Sequence, residues 1–399
     1  MKGAEMKIPE HIKEILDRLM DAGFDAYVVG GSLRDALLGI EAHDWDVTSA
    51  AKPDEVISLF SDKQVIPTGI KHGTVTVISN GDPIEITTFR TDGEYLDSRR
   101  PESVSFAKNV EDDLSRRDFT VNAMAYNDRR GLVDLFGGRE DLLRRIIRCV
   151  GDPEERFSED ALRIMRAYRF SSQLDFEIDP DTLRASHLMK NGLKSIAKER
   201  IGNEFLRLLG GVAPQKSLIK MGDILDIILP VSLERQRFSK IEELECDAIL
   251  RLAFLMNGAS DEEILSASHS LRLSTKDTQR LRRLSASPDE KKTKSLTDPD
   301  ARRLIATYGE DAENALKISI VLNGENEDSL SILRRVKAEN PAVFLSHLKI
   351  NGSDLINNGI ATGREVGKIL SRLLDAVIVD QSLNDKEILL KLAKEQKKD

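Results

Sequence analysis

A chain of 399 residues, 40% hydrophobic and 32% charged, can bury a substantial core and divide into two to four domains. No apolar run approaches the ~18–20 residues of a membrane span, and the opening MKGAEMKIPEHIKEILDRL reads as an amphipathic helix, not a leader, because acids interrupt each apolar stretch. A net charge of −9 argues against a general nucleic-acid coat while leaving room for a local basic face, and Cys149 and Cys246, far apart and without metal-ligand spacing, indicate a reduced, cytoplasmic protein.

After the first helix, Tyr27 to Ser49 reads as strand, glycine turn, helix N-terminus and second strand. The apolar Tyr27, Val28 and Val29 run into Gly30-Gly31-Ser32, a helical pattern covers Leu33 to Leu38, and Asp44-Trp45-Asp46 leads into Val47. Glycines at a helix start let backbone N–H groups approach a phosphate, and the helix dipole favours the anion. Residues two apart in a strand share a face, so Asp44 and Asp46 are expected side by side. Adjacent carboxylates repel unless a cation sits between them, and oxygen-only ligation suits Mg²⁺. Arg34, in the first helical turn, can reach a triphosphate, with Asp35 as its brace. Either half alone has an ordinary reading, as a turn or a surface strand; the ordered set is far more specific.

Lys52 to Phe60 reads as a helix started by Pro53. Strands follow at 64–66 and 74–78, and Asn80-Gly81-Asp82 signals a hairpin. In the next strand, 84–90, Glu85 lies between two isoleucines, either on an exposed face or as a third carboxylate beside Asp44 and Asp46. The first region is therefore a small mixed sheet with helices on one side. Residues 91–101, TDGEYLDSRRP, form a polar loop without apolar periodicity. In Arg116-Arg117-Asp118-Phe119-Thr120-Val121-Asn122-Ala123, Arg117 offers fork donors for phosphate oxygens, and Asp118 and Asn122 can bond a ribose hydroxyl. Asp134 to Gly138 reads as a hinge before a helix at 140–145, and 146–150 is a short β-prone run.

Glu159 to Phe170 predicts one helix on which Asp160, Arg163, Arg166 and Arg169 recur every three residues as a polar stripe. Leu162, Met165 and Tyr168 form a parallel apolar stripe. An Asp accepts and an Arg donates. Cytosine and adenine pair an exocyclic amino donor with a ring-nitrogen acceptor, whereas uracil and guanine pair a carbonyl with a ring N–H. Asp160 beside Arg163 therefore matches C and A and opposes U and G. Each unpaired buried polar group costs about 1–3 kcal/mol. Arg166 and Arg169 are placed to hold phosphate or to brace the pair. From Asp179 onward the pattern is helical almost throughout, and 285–298, SASPDEKKTKSLTD, is the best linker candidate.

The set Gly30-Gly31-x-x-Arg34-Asp35 with Asp44-x-Asp46 resembles the nucleotidyltransferase signature of the DNA polymerase beta superfamily. In this form it looks like the class II tRNA nucleotidyltransferases and bacterial poly(A) polymerases. The segment from Arg116 to Ala123 matches that family's second motif, and Glu159-Asp160-x-x-Arg163-x-x-Arg166 with Tyr168-Arg169-Phe170 matches its fourth. The resemblance covers residues 27–170 and thins to helix content and length beyond about 210.

It implies an α+β fold, with a nucleotidyltransferase head at 1–139 followed by an all-helical neck at 140–210, body at 211–295 and tRNA-binding tail at 296–399. It also implies template-independent addition of CCA to the 3′ end of tRNA from CTP and ATP, with pyrophosphate release. Asp44 and Asp46 would bind two Mg²⁺, with Glu85 completing the catalytic acids. Gly30, Gly31, Ser32, Arg34, Arg117, Asp118, Asn122, Asp160, Arg163, Arg166 and Arg169 would bind the nucleotide. The loop at 91–101 would be the family's flexible loop, needed for the final adenosine and shortened in enzymes that add only the two cytidines. An A-adding enzyme keeps the same motifs, while a poly(A) polymerase usually carries a longer basic C-terminal extension that this acidic chain lacks. From other classes, a hydrolase built on His43-Asp44 lacks further His and Asp ligands at suitable spacing, and a non-catalytic RNA-binding protein would not need Asp44, Asp46 and Arg163 together.

Overall fold

The computed structural model describes residues 6–42, 44–92, 104–286, 288, 295–324 and 328–395. Two units divide it: Met1–Pro230 with Ser270–Arg272, and Val231–His269 with Leu273–Asp399. The first begins with helix α1 (Glu10–Asp21), whose Ile12, Ile15, Leu16 and Leu19 recur at helical spacing and are buried. Its sheet uses β1 (Ala26–Val29), β2 (Asp46–Ser49), β3 (Val65–Gly69), β4 (Thr74–Ser79), β5 (Asp82–Thr88), β8 (Ala125–Asn127) and β9 (Gly131–Val133), in the order β3-β4-β5-β2-β1-β8-β9. Only β2 and β5 run parallel; every other neighbouring pair is antiparallel. Asn80 and Gly81, at φ 54° and 87°, turn β4 into β5, as the two-residue hairpin loop demands.

Several sequence expectations shift in register. Helix α2 starts at Gly30 and runs to Leu38, so the glycines are its first turn and not a separate loop. Strand β2 starts at Asp46; Asp44 sits in the bend before it, not on the strand beside Asp46. Thr91 and Asp92 belong to β6 (Arg90–Asp92), paired with β7 (Val104–Phe106); the rest of the loop expected at 91–101 lies outside the described residues. The expected hinge at 134–138 is a capped turn: Asp134 accepts from the N–H groups of Gly138 and Arg139 at 2.7 and 2.9 Å. Gly138 packs so closely there that a Cβ would lie 2.2 Å from the Thr120 carbonyl oxygen.

The helix expected at 159–170 is two helices. Helix α6 (Pro153–Glu159) ends at Asp160, which is extended (φ −144°, ψ 102°), and α7 runs from Leu162 to Leu174. Of the β-prone run at 146–150, Ile146–Ile147 pairs in parallel with Glu177–Ile178, and Cys149 forms an isolated antiparallel bridge with Phe119. Helix α9 (Lys198–Leu209) packs on α7. The second unit is helical; one of its cores gathers Leu348, Ile350, Leu355, Leu373, Val377 and Leu389. The linker expected at 285–298 is described only in part: one helix ends at Ser285, another starts at Asp298, and Thr297 and Asp300 form a capping box at that start.

Candidate active site

The sheet, α2, α7 and α9 enclose a cleft of about 860 Å³ in the first unit. Its lining includes all the residues singled out in the sequence: Gly30, Gly31, Ser32, Arg34, Asp44, Asp46, Glu85, Arg117, Asp118, Asn122, Asp160, Arg163, Arg166 and Arg169.

The acidic wall follows from strand register. Parallel pairing sets Asp46 directly beside Glu85, and both side chains point to solvent while Val47 and Ile86, the next pair, point into the core. Asp46 is open to the cleft but crowded by its walls. That desolvation, followed by the nearby Glu85 and Asp44, pushes its carboxyl up to about 6, against the opposing pull of Arg117. Among the described residues, no group of three or more His, Cys, Asp or Glu forms a metal cage.

Beside these acids the cleft is basic. Gly30, at φ 74°, turns β1 into α2 with a backbone that L side chains rarely adopt, bringing the helix N-terminus up to the cleft. Arg34 donates to Asp35 and to the Asn122 side-chain oxygen, both at 2.8 Å, and its guanidinium lies 5.3 Å from the Phe170 ring centre. Arg166 and Arg169 lie 5.3 and 3.8 Å from the same ring, so one aromatic carries three cations. Asp118 is buried and accepts from Arg166 Nε at 2.7 Å, Asn122 Nδ2 at 3.3 Å and the Phe119 N–H at 2.8 Å. Burial opposes its charge, but Arg166, Asn122 and Arg163 together hold the carboxyl below its usual range. Asp118 and Asn122, expected to bond a ribose, thus also fasten Arg166 and Arg34.

The pair expected to select the base, Asp160 and Arg163, has more partners than its spacing implied. Asp160 accepts from the Leu162 N–H at 3.0 Å and from Arg200 Nη2 at 2.9 Å. Arg163 donates to the Glu159 carboxylate, to the Arg156 carbonyl at 3.2 Å and to the Arg116 carbonyl at 2.9 Å. Arg169 pairs with Glu204, which is also 3.8 Å from Arg166. Arg200 and Glu204, both on α9, escaped the sequence reading. The signal was present: Glu204 is an acid among the inward-facing Ile201, Phe205 and Leu208 of an amphipathic helix, and Arg200 sits one turn before it.

Comparison with known proteins bears on this geometry. Residues 26–148 match the poly A polymerase head domain, 175–231 a probable RNA and SrmB-binding site of polymerase A, and 243–393 a putative tRNA nucleotidyltransferase domain 2. The CCA-adding enzyme of Ligilactobacillus salivarius is 38% identical over 97% of both chains, and that of Leuconostoc mesenteroides is 38% identical over 96% of this chain and 95% of its own. The crystal structure of the Bacillus stearothermophilus CCA-adding enzyme in complex with CTP superimposes with a TM-score of 0.84 at 31% identity, covering 98% of this chain and 99% of that one. The Thermotoga maritima CCA-adding enzyme complexed with tRNA, at 24% identity and a TM-score of 0.72, shares the fold. A nucleotidyltransferase head followed by helical parts, matched along nearly its whole length, places this chain in the family of CCA-adding enzymes.

Proposed function

We propose that this chain adds C, C and A to the 3′ end of tRNA without a nucleic-acid template, using CTP and ATP and releasing pyrophosphate. The observation that carries the reading is a single cleft in which an acidic pair, a helix N-terminus with arginines, and an Asp–Arg pair stand together. These are the three parts that metal-assisted nucleotidyl transfer with protein-based base selection requires.

The family uses a divalent cation, and the donor set suits one. Asp44, Asp46 and Glu85 load negative charge onto one wall, and burial followed by Glu85 raises the Asp46 carboxyl. Mg²⁺ is usually held by one or two carboxylates and completed by substrate phosphates, so a three-residue cage is not needed. Asp44 and Asp46 would hold two Mg²⁺ ions, which when bound acidify the RNA 3′-hydroxyl and neutralise charge on the departing pyrophosphate. Glu85 adds to the field at Asp46. The N–H groups at Gly30, Gly31 and Ser32, with Arg34 and Arg117, bind the triphosphate. Asp118 and Asn122 meet the ribose and fix the neighbouring arginines.

Asp160 and Arg163 select the base. A C or A edge satisfies an acceptor and a donor presented together, whereas U and G set like against like. Arg166 and Arg169, stacked around Phe170 and tied to Asp118 and Glu204, hold the cation array in place. The chain divides in this reading into head 1–139, neck 140–210, body 211–295 and tRNA-binding tail 296–399. In this reading it works in the cytoplasm; no helix among the described residues is long and apolar enough to cross a membrane.

Primer extension tests the proposal. The enzyme with Mg²⁺ receives tRNAs ending at the discriminator base, in C, or in CC, with CTP, ATP or both. Two additions with CTP alone and three with both nucleotides are expected. Addition of A only to the CC-ending tRNA would make it an A-adding enzyme, and a ladder of adenosines a poly(A) polymerase. No addition to any tRNA would leave a non-catalytic RNA-binding protein.

A further inference from the structure

Asp113 is a fully buried carboxylate to which the mechanism outlined so far gives no role. It sits on the short helix α4 (Val110–Ser115), capped by the Asn109 side chain. One oxygen accepts from Arg116 Nε and Nη2 at 3.1 and 2.7 Å and from the Arg90 N–H at 3.3 Å. The other accepts from Arg117 Nη2 at 3.0 Å and from the Thr48 hydroxyl at 3.5 Å. Five donors converge on one buried acid, and each leads toward the cleft. Thr48 lies two residues beyond Asp46 on β2, hence on the same face of the sheet. Arg90 opens β6, and the carbonyl of Arg116 receives Arg163.

Arg117 is the informative partner. Its Nη1 lies beside Gly30, and its bond to the Asn122 carbonyl is long at 3.5 Å. Its Nε is buried with no hydrogen-bond partner among the described residues. The bond to Asp113 is therefore what fixes the direction of this guanidinium. A flexible arginine beside Asp46 would otherwise fold onto that carboxylate, and binding a ligand would have to order it afresh. A buried counter-charge behind it avoids both losses.

We propose that Asp113 is a positioning residue that aims Arg117 into the cleft, so that an incoming nucleoside triphosphate meets a pre-oriented guanidinium. This rests on the reading of Arg117 as a nucleotide contact. The alternative role, pinning α4 to the sheet through Thr48, would not act through Arg117.

A double-mutant cycle on the full chain separates the two. Wild type, Asp113→Asn, Arg117→Ala and the double variant are compared for CTP binding by calorimetry, and for kcat and KM on tRNA ending at the discriminator base. Asp113→Asn is expected to raise KM and weaken CTP binding on the order of 10- to 100-fold, with a smaller change in kcat and little further loss once Arg117 is absent. Asp113→Glu, which keeps the charge, should recover part of the binding. Losses that multiply in the double variant, or an Asp113→Asn enzyme with unchanged CTP binding, would overturn the proposal. If the amide variant fails to fold, the cycle is run with Asp113→Glu, and independent losses there count equally against it. Wild type that binds CTP but adds no nucleotide would overturn the proposed function alone, because the calorimetric cycle still reads the positioning.

Discussion

At the scale of single residues, Asp46 and its neighbours make the sharpest predictions. Replacing Asp44 or Asp46 by Ala should lower nucleotide incorporation on the order of a thousandfold or more, because removing a metal site forfeits several kcal/mol of charge stabilisation. tRNA binding, read by filter retention, should stay within a few-fold. Retained incorporation would refute the assignment of these acids. The raised Asp46 carboxyl also sets a pH dependence. Its charged form, needed to bind a cation, is lost as pH falls through about 6, so kcat/KM at low Mg²⁺ should fall along an acid limb there. Raising Mg²⁺ should move that limb to lower pH, since a cation favours the charged form. For stability the sign is opposite. A group whose folded value lies above its unfolded one binds protons first in the folded state, so this carboxyl weakens the fold as pH rises toward 6. Asp118 and Asp113, held below the ordinary carboxylate range, stabilise the fold at neutral pH and lose that contribution in acid.

At the scale of elements, the turn before helix α5 (Gly138–Arg144) is closely packed. A methyl group at Gly138 meets the Thr120 carbonyl at 2.2 Å and the Met124 side chain at 2.9 Å. Gly138→Ala should therefore cost about 1–3 kcal/mol by overpacking, seen as a lower melting temperature. Gly23→Ala serves as comparison: the residue has φ 90° and nothing within 4 Å, so only backbone strain opposes the substitution. Equal melting temperatures for Gly138→Ala and wild type would contradict the packing argument. The break at Asp160 belongs to this scale too. An extended residue between two helices frees its side chain to accept from the Leu162 N–H and from Arg200, which a mid-helix position would not allow. Breaking the partner contact with Arg200→Ala should loosen the choice of C and A over U and G by roughly 1–2 kcal/mol, or about 5- to 30-fold, measured by misincorporation from UTP and GTP.

At the scale of the whole molecule, the cleft is built from the first unit alone, and the second unit has its own helical core. A ligand that binds only the folded form stabilises it by about 2.7 kcal/mol at one hundred times its Kd. CTP should therefore raise the melting transition of the first unit in calorimetry. A shift confined to the second unit would place the nucleotide elsewhere.

The chemistry of this site was legible in the sequence because its local motifs each carry a local physical meaning. Gly30-Gly31 before a helical run, Asp44 and Asp46 two apart, and arginines at threefold spacing after Asp160 stand out as candidate binding groups by residue type and periodicity, and all of them line the cleft. The mixed sheet and the Asn80-Gly81 hairpin were readable for the same reason. Register and partnership were not. The sequence left Glu85 two placements, and only a parallel pairing between strands 39 residues apart decides that it stands beside Asp46, whose carboxyl is raised by burial first and by Glu85 second. That Asp160 leaves the helix, that Glu204 gathers Arg166 and Arg169, and that a buried Asp113 stands behind Arg117 are decided by packing between distant segments. Sequence alone determined which functional groups the chain carries, because side-chain chemistry and helix or strand period are local. Only the tertiary structure decided which charges face one another, because burial and counter-ions come from residues far apart in the chain.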